Sequence, residues 1–358
     1  VNEGTHPALI RALSATPTYV LANAISNVVD LVPPGHRPKV GETNVYCGVQ
    51  LSGPPHLGTA MTLLLTLCFA ERSQVQGLLR PVVSLDVLDN VPSETVVDPA
   101  TGAKFRRTRT AADATRVFEE NYEWFREIAS QLDVPVNVRI YSAYQRTPGF
   151  RRALLATLEK ASALGRCLNP RSEKLPIRFA CPQCGLVEVH AHHTELISCS
   201  EGEACFRAYC FDHGAFEVIV SETSEAWVDL NSLYRNVVKD IEHFEAHTNP
   251  AISVKGSDWI VGCDVLTRAL SLLGVPESRR PYRLFTPTIM DGQGAKLSKS
   301  AGIADEYLLQ LGTKHDYPDR PRALELCAVA RALIDHPPLF FRSYSAEFVR
   351  SFSRELAA

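Results

Sequence analysis

TNVYCGVQLSGPPHLGTAMTLLLTLCFA, residues 43–70, joins a run of strand character to a run of helical character through a segment that bends the backbone. Residues 43–52 predict a strand and 58–73 a helix, with Gly53, Pro54, Pro55 and Gly58 forming the turn between them. The unit is strand, tight loop, helix. In an open parallel sheet, ligands bind at the carboxyl ends of strands, where loops lead into helices. Gly53 and Gly58 let the backbone approach a ligand closely, and the helix N-terminus behind them offers unpaired N–H groups to a phosphate. His56, held at the mouth of this turn, would face that phosphate. A single histidine in a Pro/Gly turn is more often an ordinary loop residue, so a second element is needed before it acquires a role.

Working outward, RPVVSLDVL (80–88) predicts a buried strand and DATRVFEENYEWFREIASQL (113–132) a helix. Phe118, Tyr122, Phe125 and Leu132 form that helix's apolar stripe. VNVRIYSA (136–143) predicts a strand, and residues 150–165 a helix that stops at Gly165. From about residue 170 the pattern breaks into short, cysteine-punctuated pieces. It resumes as a helix near 226, a strand at 251–256, a helix at 259–274 and a strand at 282–290. The alternation predicts an α/β fold, a Rossmann-type doubly wound parallel sheet with an inserted zinc-ribbon-like subdomain and a short helical C-terminal tail. The expected units are an N-terminal helical segment (1–42), the first half of the catalytic domain (43–168), the insertion (169–225), the second half (226–302) and the tail (303–358).

With 45% apolar and 22% charged residues the chain has the composition of an ordinary soluble protein. Its longest apolar stretch, near 60–70, is broken by threonines and falls short of the roughly 20 residues a membrane span requires. No secretory signal is recognised at the N-terminus, so no membrane association and a cytoplasmic location are expected. The net charge of −3 means that contact with nucleic acid would depend on local patches such as GAKFRRTR (102–109). Five of the ten cysteines crowd into residues 181–210, which points to metal and away from a disulfide framework. Cys47, Cys68, Cys167, Cys263 and Cys327 stand singly among apolar neighbours, as small core residues do. CPQCG at 181–185 is the first half of a zinc ribbon; Cys199, Cys205, Cys210 and His213 compete for the two remaining ligand places. Four closed ligands would make the Zn2+ structural. HAHH (190–193) reads as a solvated hairpin.

The second element is KLSKS, Lys296 to Ser300, directly after the last predicted strand. Its lysines and hydroxyls suit the charge that develops on a triphosphate as pyrophosphate leaves, and its spacing is not that of a Walker loop. His-Leu-Gly-Thr opening the first helix, paired with Lys-Leu-Ser-Lys-Ser after the last strand, resembles the two signature motifs of class I aminoacyl-tRNA synthetases. SGPPHLGTAM, SLDVLDNVP, the cysteine-rich insertion and TIMDGQGAKLSKSAG look most like the class I type of lysyl-tRNA synthetase, over roughly residues 43–310.

The resemblance implies ATP with Mg2+ as the nucleotide substrate. Gly53, Pro55, His56, Gly58, Thr59, Lys296, Ser298, Lys299 and Ser300 would bind it. His56 would stabilise the α-phosphate, Gly58 would lie against adenine, and Lys296 and Lys299 would hold the departing phosphates. Thr59 stands where many class I enzymes have a second histidine. Asp86, Asp89 and Asp258 are the candidate amino-acid contacts, Asp258 within SVKGSDW, which also contains Lys255 and Gly256. The lysyl-type pattern favours Cys181, Cys184, Cys199 and Cys210 as zinc ligands. The implied activity is adenylation of lysine or a related basic amino acid and transfer of the acyl group to an acceptor. Only 58 residues follow Ser300, less than the helical anticodon-binding region of such enzymes, so the acceptor is expected to be either tRNA or a non-tRNA small molecule, peptide or carrier. A catalytically silent regulatory paralogue would have no reason to keep His56 with both lysines. The sequence gives no hold on oligomeric state.

Overall fold

The computed structural model describes residues 42–52, 54–75, 79–108, 111–291, 294, 296–297, 320–335 and 343–357. Residues 1–41, which carry nearly all of the expected N-terminal segment, lie outside the described residues, as do Gly53, Ser298, Lys299, Ser300 and 301–319.

Strand β1 (Glu42–Gln50) runs into the Pro/Gly loop and then helix α1 (Leu57–Val75), as the opening stretch predicts. Next come β2 (Arg80–Leu88), the hairpin β3 (Pro92–Val97) and β4 (Lys104–Thr108), helix α2 (Ala111–Gln131) and β5 (Val136–Ile140). The strand expected over 136–143 ends early, because Tyr141–Tyr144 turns into one helical turn. The single helix expected over 150–165 is two: α3 (Pro148–Leu158) and α4 (Ala161–Leu168). Thr147 caps α3 with Pro148 in its first turn. Gly165 is no terminus. It sits inside α4, where a Cβ would lie 2.0 Å from the carbonyl oxygen of Glu173, so glycine is required by close backbone approach.

The insertion supplies β6 (Ile177–Phe179), β7 (Leu186–Glu188), β8 (Glu195–Ser200), β9 (Glu203–Cys210) and β10 (Gly214–Ser221). β8, β9 and β10 form an antiparallel sheet, while β7 pairs with β4 and so ties the insertion to the β3–β4 hairpin. The predicted helix near 226 begins as strand β11 (Val228–Leu230), which pairs with β6. Asn231 then caps α5 (Ser232–Ala246) by accepting from the Tyr234 amide at 2.8 Å. β12 (Ile252–Gly256), α6 (Ile260–Leu272) and β13 (Tyr282–Thr286) complete the main sheet. β14 (Ile289–Met290), α7 (Arg320–Asp335), β15 (Tyr344–Ser345) and α8 (Ala346–Ala357) follow.

The main sheet is five-stranded and wholly parallel, in the order β13-β12-β1-β2-β5. This is the doubly wound arrangement: the chain winds outward from β1 through β2 to β5, then returns to β1's other side with β12. The two faces of β1 show why both must be covered. Val45, Cys47 and Val49 are buried in a core with α1, α2, α7 and α8. Tyr46, pointing the opposite way, meets His243 of α5 through its hydroxyl at 3.1 Å. A second core gathers α3, α4, α5 and α6 with the insertion strands, and a third, small one joins Phe105, Cys181, Leu186 and Cys210. Among the described residues no helix is long and apolar enough to cross a membrane.

Candidate active site

The strand order reverses at β1, so a crevice opens between the carboxyl ends of β1 and β12. A cavity of about 460 Å³ occupies it, walled by the loop and first turn of α1, by Gly256–Trp259 after β12, and by Pro287–Ile289, Lys296 and Leu297. His56, Gly58, Thr59, Asp258 and Lys296 all line it. Pro55 is buried and does not.

His56 acts as a cap for α1. Its Nδ1 accepts from the Thr59 amide at 3.3 Å, which leaves the proton of a neutral ring on Nε2, 3.1 Å from the Thr59 hydroxyl. The ring thus presents an N–H beside a helix N-terminus. Gly58 packs tightly beside it: a Cβ there would lie 3.1 Å from Cε1 of the imidazole, so the ring would have to give by a few tenths of an ångström. Also in the lining, the Lys296 ammonium pairs with Asp258 at 2.6 Å. Lys296 reaches this position because its strip of backbone bridges to Met290 and the Leu297 amide donates to the Ile289 carbonyl.

A second cavity of about 230 Å³ continues from the first, sharing Gly48, Gly256 and Trp259 with it. Asp86 lies here, but its carboxylate is already shared between Arg139, at 2.6 Å, and Lys239. Burial alone would push its pKa up; the two cations outweigh that and hold it below the ordinary carboxylate value. Asp89 is turned away, buried and accepting from the Ser142 amide at 3.0 Å, so it does not line either cavity. Of these two candidate amino-acid contacts, Asp86 thus lines the deeper cavity with its carboxylate already paired, and Asp89 lines neither cavity. Arg139, Arg235, Lys239 and Lys255 line the same cavity. Sequence reasoning singled out only Lys255 among them. The signal for the others was a charged residue at an otherwise apolar strand end (Arg139) or on the buried side of an amphipathic helix (Arg235, Lys239).

Away from the crevice, Cys181, Cys184, Cys210 and His213 bring their ligand atoms within 4.8 Å of one another. Gly185, at φ +74°, makes the turn after Cys184, and the hairpin between β9 and β10 delivers Cys210 and His213. Burial pushes the Cys181 thiol up, but the amides of Cys184 and Gln183 reverse this and lower its pKa. Cys199 is not in the cluster: it lies exposed on β8, opposite Ala204. His213 takes the place expected for it. His190, His192 and His193 are exposed, with His193 bonded to Glu188. In the basic stretch 102–109, Arg106 is consumed internally by an ion pair with the buried Asp229 at 2.5 Å.

No protein-family model matches the chain, and no curated protein does. Among solved structures, a glutamate-tRNA synthetase from Elizabethkingia anophelis is similar at 13% identity and a TM-score of 0.42, covering 88% of this chain and 70% of that one. A Mycobacterium tuberculosis methionyl-tRNA synthetase in complex with methionyl-adenylate is similar at 13% identity and a TM-score of 0.41, covering 87% of this chain and 68% of that one. At TM-scores below 0.5 and such low identity, the reading of the crevice rests on its own side chains.

Four sulfur and nitrogen donors in a cluster of that size suit one tetrahedral Zn2+. For Mg2+ the fit is of another kind: Asp258, already engaged by Lys296, is the one carboxylate among the described lining residues of the larger cavity. That set suits an ion carried by phosphates and water, not a protein cage.

Proposed function

We propose that the crevice binds ATP and activates an amino acid as its adenylate, in a ligase of class I aminoacyl-tRNA synthetase type. The observation that carries this reading is the convergence of His56, at the N-terminus of α1, and Lys296 in the lining of one cavity at the switch point of the sheet.

In the reaction, an amino-acid carboxylate oxygen attacks the α-phosphorus in line. The bond from that phosphorus to its bridging oxygen breaks, and the electron pair leaves with pyrophosphate. Negative charge grows on the α-phosphoryl oxygens and on the departing bridge. The Nε2–H of His56, shared between the Thr59 hydroxyl and a phosphate oxygen, and the amides that open α1 would serve the first. Lys296 supplies positive charge toward the second; Lys299, by the sequence resemblance, would add to it. Mg2+ bound with the triphosphate would neutralise part of its charge. No covalent enzyme intermediate is needed, because positioning and charge stabilisation suffice. A Zn2+ held by Cys181, Cys184, Cys210 and His213 would staple the insertion and take no part in the chemistry.

Amino-acid-dependent ATP–pyrophosphate exchange tests the reading. Lys296→Ala should lower exchange on the order of 10²-fold, the scale of one lost transition-state donor; unchanged exchange refutes the role of Lys296. Label that reaches tRNA identifies tRNA as the acceptor, and exchange without charging points to another acyl acceptor. Lysine or a basic relative is the amino acid that the sequence resemblance brings. The charge of the deeper cavity speaks against it.

A further inference from the structure

The deeper cavity is lined by four cationic side chains, Arg139, Arg235, Lys239 and Lys255, and by one carboxylate, Asp86. That carboxylate already serves both Arg139 and Lys239. Arg235 donates to the Leu230 carbonyl and the Ser232 hydroxyl, and stacks over Tyr141. Lys255 donates to Asn236 Oδ1 at 3.0 Å and lies 4.6 Å from the centre of the Trp259 ring. Neither Arg235 nor Lys255 has a carboxylate within ion-pair distance among the described residues.

The acids packed around the cavity do not fill the gap. Asp240 is paired with Arg283; Asp89 accepts from the Ser142 amide and feels the Arg235 charge, but it forms no ion pair with it and does not line the cavity. Glu242 is hydrogen-bonded by Tyr144 and pushed up to about 7 by burial, so it is half neutral near neutral pH. The lining thus holds an excess of positive charge, part of it on a cation flanked by Asn236 and Trp259. A ligand ammonium placed here would meet four cations and a carboxylate that already serves two of them.

We propose that this cavity receives the side chain of an anionic amino acid, one with a second carboxylate, and that Lys255 is its principal counter-ion. The proposal rests on the ATP reading of the adjoining cavity in one respect: the α-carboxylate is committed to the α-phosphate there, so the charge in the deeper cavity must be met by a different group. Burial together with the charges of Lys239 and Arg283 lowers the Lys255 pKa to about 8, the condition of a cation whose counter-charge arrives with the ligand. A volume of about 230 Å³ accommodates one amino-acid side chain. The carboxylate would bind by charge-assisted hydrogen bonds, and its neutral amide isostere would leave Lys255 unpaired.

Calorimetric titration of the whole protein with L-glutamate, L-aspartate, L-glutamine and L-lysine, with a non-hydrolysable ATP analogue present, tests this. One of the dicarboxylates should bind about 30-fold or more tightly than glutamine, the scale of a buried charge pair, and lysine should bind more weakly still. Lys255→Met should abolish the preference and Lys255→Arg should retain most of it. Lysine binding as tightly as the dicarboxylates, absence of binding by either dicarboxylate, or a preference that survives Lys255→Met overturns the proposal. Pyrophosphate exchange on the same panel separates the two readings. Dicarboxylate binding without exchange keeps the subsite and overturns activation; exchange with lysine alone keeps activation and overturns the subsite.

Discussion

Replacing Lys255 by methionine should stabilise the protein while removing its hold on an anionic ligand. The Lys255 ammonium contacts Asn236 and the Trp259 ring but meets no carboxylate among the described residues. Burial, and then the charges of Lys239 and Arg283, bring its pKa from the ordinary 10.5 to about 8. A drop of that size means that the charged form is disfavoured in the folded chain by about 3 kcal/mol. Below about pH 8 the lysine is protonated in both folded and unfolded chains, so the whole of that cost is present. Between about pH 8 and 10.5 the unfolded chain keeps a proton that the folded chain has released, so this contribution makes stability rise with pH and the cost disappears above the window. Methionine keeps the stem's length without the charge. It loses the contact with Trp259, so the net gain at about pH 7 should be about 1–3 kcal/mol. Urea unfolding, followed by tryptophan fluorescence at about pH 7 and again at about pH 10, measures it. The wild type should close most of the gap at the higher pH. A variant less stable than wild type at neutral pH, or one showing the same pH slope, would refute the reasoning.

Three further outcomes are expected. Gly58→Ala would place a Cβ 3.1 Å from the His56 ring, so the imidazole should leave its contact with Thr59 and exchange should fall on the order of 10-fold or more with little change in unfolding midpoint. Full exchange in that variant would show that the ring's position is immaterial. Metal analysis should find about one zinc per chain, retained in Cys199→Ser and lost in Cys184→Ser or His213→Ala; loss in the Cys199 variant would contradict the cluster. Asp86→Asn leaves Arg139 and Lys239 facing each other without their shared carboxylate and should lower stability by about 3–5 kcal/mol, read as a shifted urea midpoint. Because the Asp86 pKa is lowered on folding, the wild type keeps this contribution at neutral pH and loses it as pH falls below the usual carboxylate range, whereas the variant should lack that acid-dependent loss.

Residues 80–88 were legible as a strand and 57–75 as a helix within two residues, because strands covered on both faces and a long buried helix leave continuous apolar runs. The β3–β4 hairpin was not. PSETVV is almost wholly exposed and KFRRT alternates only weakly, so what holds them is pairing with each other and with β7. Gly165 looked like a helix stop because a glycine's conformational freedom and its lack of bulk read identically in sequence; its neighbour, the Glu173 backbone, exists only in the fold.

The same division runs through the candidate site. By itself the sequence determined which local units form and which carry chemistry: a Pro/Gly loop opening a helix at His56, a lysine strip after the last strand, a Cys-x2-Cys turn. These are properties of neighbouring residues, where backbone freedom and short spacings are decisive. Only the tertiary structure decided which groups meet. Asp86 is paired with Arg139, 53 residues away, and with Lys239, 153 away. His213 joined the cysteines in place of Cys199 because hairpin register, not spacing, sets which side chains converge. The sign of the charge in the deeper cavity was likewise invisible, since it is a sum over four elements that the sheet alone brings together.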